Sequence, residues 1–167
     1  MPGFTLRAAD AACIPAVQRL AEAVWYAHYQ GIITTDQIAY MLARGYATDA
    51  LQGFVDAPDG GIELAQSAAG LLGFAAWMAS DERSAVKLDK LYVDVAHQRA
   101  GVGRALIERV VGYARDLGAN VVVLNVNKHN TRALAAYRRN GFVVRESAVV
   151  DIGGGFVMDD YVMARSV

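Results

Sequence analysis

Two glycines one residue apart, Gly101 and Gly103 in "VDVAHQRAGVGRAL", stand between an apolar run and a stretch with helical periodicity. Lacking side chains, they let the backbone approach a phosphate closely, while the unpaired N–H groups and positive dipole end of the following helix face it. The turn suits an anion; the competing reading is a tight turn that serves only strand–helix packing. Two familiar phosphate-binding solutions do not fit. A dinucleotide fingerprint needs a third glycine, where Leu106 stands, and an acid about twenty residues on, where the apolar "VVVL" lies. A P-loop needs Lys and then Ser or Thr after its glycine, and Gly103 is followed by Arg104 and Ala105. His28, His97 and His129 are too far apart in the chain to suggest a metal site, and Cys13, the single cysteine, excludes an internal disulfide.

Charge is distributed unevenly around this turn. From His97 to Arg145 the chain carries +7, and the remainder carries −8. A basic segment around a glycine turn suits a polyanionic small molecule, and the acidic remainder suits a cation. Nucleic acid is a weaker fit, because no dense basic run is interleaved with aromatics.

Periodicity supplies the elements that must position the turn. Phe4 to Ala8 reads as a strand, and Asp10 can cap a helix running through Tyr29, with Val17, Leu20, Val24 and Ala27 at helical spacing. Thr34 or Thr35 can cap a second helix that stops at Gly45, and "ATDALQGFVDA" offers at most one further short turn. "GIELAQS", "LLGFAAWMAS" and "AVKLDKLYVDV" predict an antiparallel meander. Then follow a helix over Gly101–Leu117, a buried strand in "ANVVVLNVN", a helix over Asn130–Asn140, and a closing strand pair around "DIGGG". The expectation is a single α/β (α+β) domain over residues 1–167: a mixed, largely antiparallel sheet with helices on both faces, in the order β-α-α-β-β-β-α-β-α-β-β.

The spacing Gln98-x-x-Gly101-x-Gly103 after the triplet "LYV", followed by "NKHNTRALAAYRRNGF", resembles the two motifs of the GCN5-related N-acetyltransferase (GNAT) family. The likeness is close over Leu88–Val143. It implies an acetyl-CoA-dependent acyltransferase that moves an acetyl group to a primary amine by direct attack in a ternary complex, with no metal. It further implies that the strand through Leu91, Tyr92 and Val93 splays from its neighbour and pairs with the pantetheine arm as an added strand would. The pyrophosphate would rest on N–H groups from Gln98, Arg99, Ala100, Gly101, Val102, Gly103 and Arg104, with both arginines adding charge. Asn130, as N-cap, would start a helix whose Ala133, Leu134 and Tyr137 wall the cofactor.

Tyr137 occupies the position of the family's general acid, and a phenol of pKa about 10 is matched to a departing thiolate. Without that resemblance, a Tyr beside Ala133 and Leu134 reads as core. Asp89, which interrupts the apolar strand before "LYV", is the candidate base; its alternative role is to pair with Lys87 or nearby arginines. Trp25, Tyr29 and Tyr161 are the candidate acceptor-binding residues, suited to an alkylammonium chain. With Asp151, Asp159 and Asp160 close together, this favours a small cationic amine such as a polyamine. A protein or peptide N-acetyltransferase and a non-catalytic acetyl-CoA-binding module are the alternatives. No signal-like leader or membrane-length apolar run is present, so a cytoplasmic location and no membrane partner are expected, and a homodimer is compatible with the pattern.

Overall fold

The computed structural model describes residues 3–167 as one seven-stranded sheet with helices on both faces. β1 (Thr5–Ala8) leads to Asp10, whose carboxylate accepts from Ala12 N at 3.0 Å and starts a single 3-10 turn, Ala11–Cys13. α1 (Ile14–His28) begins only after it, with Pro15 in its first turn, where a missing N–H costs nothing. The helix expected from Asp10 is thus a cap, a 3-10 turn and an α-helix in series. Its Val17, Leu20, Ala21, Val24 and Trp25 form the buried stripe.

α2 (Thr35–Gly45) is capped by Thr34, whose hydroxyl accepts from Gln37 N at 3.1 Å. The stretch expected to give one short turn is instead a nine-residue helix, α3 (Thr48–Asp56). Gly53 in its middle costs about 1 kcal/mol in helix propensity, and burial of Leu51 and Phe54 outweighs that at about 2 kcal/mol each.

β2 (Gly60–Ser67), β3 (Gly70–Ala79) and β4 (Ala85–Val93) form the expected meander. α4 (Val102–Asp116) then crosses to β5 (Val121–Asn127), α5 (Thr131–Arg139) follows, and β6 (Val143–Gly153) and β7 (Phe156–Ser166) close the chain. The strand order is β1-β2-β3-β4-β5-β7-β6, and β4–β5 is its parallel pair. One face packs on α1–α3 around Phe74, Leu64 and Ile38; the other packs on α4 and α5 around Leu106, Leu124 and Met163.

The central irregularity lies between β4 and β5. Their pairing stops after three residues, Ala85–Lys87 against Val121–Val123. On its other edge β4 pairs Leu88 with Trp77 and then Lys90 with Ala76, which leaves Asp89 as an extra, bulged residue. A bulge bends and twists its strand, so β4 parts from β5 where Asp89 interrupts it.

Candidate functional site

A cavity of about 280 Å³ opens in this gap. Its walls come from β4 (Lys87 to Tyr92), β5 (Asn125 to Asn127), α5 with its cap (Asn130, Ala133, Tyr137), the α1 and α2 ends, and β6–β7. Beyond Lys87, β4 has no strand on its β5 side, so its backbone groups there are free to bond something inserted in the gap.

The glycine turn sits at the end of the same strand. Asp94 caps a short turn, Val95–His97, with its carboxylate 3.0 Å from Ala96 N. Arg99 (φ 71°) and Gly101 (φ 83°) then both adopt left-handed backbone, a conformation that costs a non-glycine residue about 1–2 kcal/mol. Alternation of left- and right-handed residues curls successive N–H groups inward to form an anion nest. Gly101 is the N-cap of α4 and no side chain caps it, which leaves the first N–H groups of the helix available. A Cβ at Gly101 would meet nothing within 4 Å and one at Gly103 would touch only Val93 at 3.7 Å, so the space over the turn is open. This arrangement fits a pyrophosphate, with the exposed Arg99 and Arg104 nearby. Val102 contributes backbone alone, because its side chain is 1% exposed in the core.

The Gln98 side chain points elsewhere. Its amide nitrogen lies 2.6 Å from His28 Nε2 and 3.3 Å from the Val93 carbonyl oxygen, tying the end of α1 to the end of β4. Burial, aided by Arg132, lowers the His28 pKa, so a neutral imidazole can accept this contact. Gln98 thus offers the cradle only its main chain.

On α5 the Asn130 carboxamide accepts from Ala133 N at 3.2 Å, a cap that starts the helix and sets its rotation. Asn130, Ala133 and Tyr137 recur three and four residues apart and line the cavity. Leu134, expected beside them, is instead 5% exposed in the α4-side core, one residue around the helix from the cavity stripe. Burial pushes the Tyr137 phenol well above its ordinary range and Tyr29 adds to the effect, so Tyr137 retains its proton and is a weaker acid than the ordinary phenol matched to a departing thiolate.

Trp25 and Tyr29 line the cavity as a stacked pair, ring centroids 4.3 Å apart. Tyr46, which sequence reasoning passed over, completes the group: it accepts from Trp25 Nε1 at 3.2 Å and packs edge-on to Tyr92. Burial raises the pKa of all three tyrosines, Tyr29, Tyr46 and Tyr92. Tyr161 does not join them. Strand pleat turns it to the opposite face of β7, where Lys128 lies 5.5 Å over its ring, and turns Asp160 toward the cavity.

Asp160 is 6% exposed and its Oδ1 has no hydrogen-bond partner. Burial raises its pKa, Asp159 adds to the rise, and Asn125, Lys87 and Lys128 oppose it. Asp89, the candidate base, is in the cavity wall, but its carboxylate is engaged by Lys90 at 2.8 Å and Lys87 at 3.7 Å, the pairing that was its alternative role. Lys90 is itself held over the rings of Tyr46 at 4.8 Å and Phe54 at 5.2 Å. Among the described residues, no group of three or more His, Cys, Asp and Glu side chains is placed to hold a metal ion.

The sequence profile of the Acetyltransferase (GNAT) family matches residues 18–142, from within α1 to the start of β6. The chain belongs to the GNAT family. Among GNAT relatives, a Mycobacterium tuberculosis protein named as an N-acetyltransferase is 34% identical over 97 residues, 58% of this chain and 61% of its own. An Escherichia coli L-amino acid N-acyltransferase is 33% identical over 75 residues, 45% of this chain and 44% of its own. The matches therefore span about three fifths or less of these curated relatives. The fold also matches a PaiA N-acetyltransferase from Thermoplasma acidophilum, solved in complex with coenzyme A. That match has a TM-score of 0.84 and 19% identity and covers 98% of this chain and 99% of that one. No helix among the described residues is long and apolar enough to cross a membrane.

Proposed function

We propose that this GNAT protein is an acetyl-CoA-dependent N-acetyltransferase that acts on a small primary amine in a ternary complex. One observation carries the reading: a single cavity joins the unpaired edge of β4 to a proton-bearing Tyr137, at the end of the strand that runs into the anion cradle. Acetyl-CoA would supply the activated acyl group as a thioester. The N–H groups of the turn from Arg99 to Arg104 bind the pyrophosphate, and Leu91 to Val93 hold the pantetheine amides by main chain. Tyr137 holds a proton at its hydroxyl for the departing thiolate. The aromatic group of Trp25, Tyr29 and Tyr46 receives the apolar part of the acceptor.

The far wall supports a small acceptor. Tyr40 of α2 donates to the Ile152 carbonyl oxygen at 2.9 Å, and Arg44 donates to the same oxygen. Gln37 donates to the Val157 carbonyl oxygen at 3.1 Å. These contacts latch α2 to the β6–β7 hairpin over the cavity, which suits a small molecule better than an extended peptide. The carboxylates expected to attract a polycation are largely engaged: Asp159 pairs with Lys128 at 2.7 Å, and Asp151 accepts from Gly153 N at 2.9 Å.

The test is release of free CoA thiol from acetyl-CoA in the presence of phenethylamine, spermidine, L-phenylalanine or a short lysine peptide. Amine-dependent release with a small amine is the expected result. Tight CoA binding without release for any acceptor would instead identify a sensing module, and release with the peptide alone would identify a protein acetyltransferase.

A further inference from the structure

We propose that Asp160 receives the acceptor's ammonium group and accepts its proton before attack, and that the site is built for one positive charge. The inference rests on the acetyl-transfer reading above and adds to it the residue that recognises the acceptor.

Several acids stand near the cavity, and their partners separate them. Asp89 is occupied by two lysines, Asp159 by Lys128, and Asp151 by the hairpin backbone. Asp160 alone combines a position in the cavity wall, near-complete burial and an oxygen with no partner. Leaving a buried carboxylate oxygen unpaired is unfavourable, and an ammonium group that donates to it removes that penalty. The groups that act on it are Tyr29 at the end of α1, Lys87 of β4 and Asn125 of β5, together with the charges of Asp159 and Lys128 on the other face of the strand. None of them supplies Oδ1 with a hydrogen bond.

The same inventory limits the charge of the acceptor. Lys87 and Lys90 line the cavity with Asp89 and Asp160, so the wall is neutral as a whole and has one carboxylate unpaired. A second or third ammonium group on the acceptor would lie among lysines with no free anion to meet it.

The proton balance closes without a further reagent. Asp160 takes one proton from the ammonium group and passes it to solvent. The freed nitrogen lone pair forms the C–N bond to the acetyl carbon as the C–S bond breaks, and Tyr137 protonates the departing thiolate. The second proton lost from nitrogen restores the phenol.

Asp160→Asn keeps the shape and removes the acceptor of the proton. With phenethylamine, the variant is expected to lose about a hundredfold in kcat/KM at neutral pH, with CoA affinity by calorimetry unchanged. Its kcat/KM should then climb tenfold per pH unit toward the amine pKa, because it can use only free amine, whereas the wild type stays flat over that range. Calorimetric binding of phenethylamine to the CoA complex should weaken in parallel. Wild-type kcat/KM with an unchanged pH profile in the variant would overturn the role of Asp160. A wild-type preference for spermidine that salt abolishes would overturn the single-charge site. Acetylation of no amine in the panel would sink the acetyl-transfer reading; in that case, loss of phenethylamine binding in the variant would still support the ammonium site and retention of it would refute it.

A substrate-free readout accompanies these. Because the folded-state pKa is raised, the contribution of Asp160 to stability is complete below its unfolded value and is lost as pH rises through the folded one. Asp160→Asn should therefore unfold at or above the wild-type temperature at neutral pH, with that advantage shrinking as the pH falls. A variant less stable than wild type at neutral pH would mean that the carboxylate has a structural partner.

Discussion

Tyr137 lines the cavity and Gly103 lies in the first turn of α4, beyond the end of β4, so each proposed role can be probed by one substitution. If Tyr137 delivers the proton to the leaving thiolate, Tyr137→Phe should lower kcat about a hundredfold and leave acetyl-CoA affinity nearly unchanged. A rise in KM with kcat intact would make the residue a wall and place the acid elsewhere. Gly103 lies in ordinary helical backbone, and a Cβ there would only touch Val93. Gly103→Val should therefore fold normally and still weaken CoA binding tenfold or more, about 1.4 kcal/mol, as measured by calorimetry. Unaltered affinity in the folded variant would reduce the turn to a packing device. Gly101 makes a poorer probe, because its positive φ would confound loss of binding with backbone strain. That these residues gather at one cavity and the turn beside it was legible in the sequence from their types: a turn without side chains, a cap with an acceptor oxygen, a phenol. Asp160 and Tyr161 were not separable. They are adjacent on one strand, and only the pairing of β7 with β5 and β6 determines which of them faces the cavity.

At the scale of elements, meander, crossover and closing hairpin were all readable from periodicity, whereas Gly53 disguised α3, and the bulge at Asp89 showed only as a one-residue shift of the inward apolar positions, from Val86 and Leu88 to Leu91 and Val93. The hairpin between β6 and β7 carries a further constraint. Gly153, Gly154 and Gly155 all have positive φ, and a Cβ on Gly154 would lie 2.8 Å from the Tyr40 ring. Gly154→Ala should cost about 1–2 kcal/mol from backbone conformation alone and loosen α2 from the hairpin. Hydrogen exchange should report faster opening at both segments, and KM for the amine should rise more than KM for acetyl-CoA. Exchange confined to the hairpin, with α2 unchanged, would show that the latch does not couple them. The "DIGGG" turn was visible in the sequence, but its docking on Tyr40 was not, because the two lie more than a hundred residues apart.

Across the whole molecule, the sequence-wide division of charge has a narrower meaning than it first suggests. The basic segment contains the turn proposed to hold the pyrophosphate, and Arg99 and Arg104 are exposed around it. CoA affinity should therefore fall as salt rises from low to physiological strength, and Arg99→Ala should make that dependence shallower; an affinity indifferent to salt would leave binding to the backbone alone. The acidic remainder, by contrast, is partly consumed in ion pairs, Glu63 with Arg109, Asp159 with Lys128 and Glu82 with Arg145 among them, so its total says little about the acceptor.

In the proposed reaction the seat for the cofactor is an edge of main chain on β4 and a turn of bare N–H groups, while the acceptor would be met by side chains on α1, α2 and the last two strands. The two halves of the reaction are thus stored in different alphabets. On that reading, substitutions in α2 or the β6–β7 hairpin should change which amine is accepted while the donor half, held in backbone shape, tolerates them unaltered.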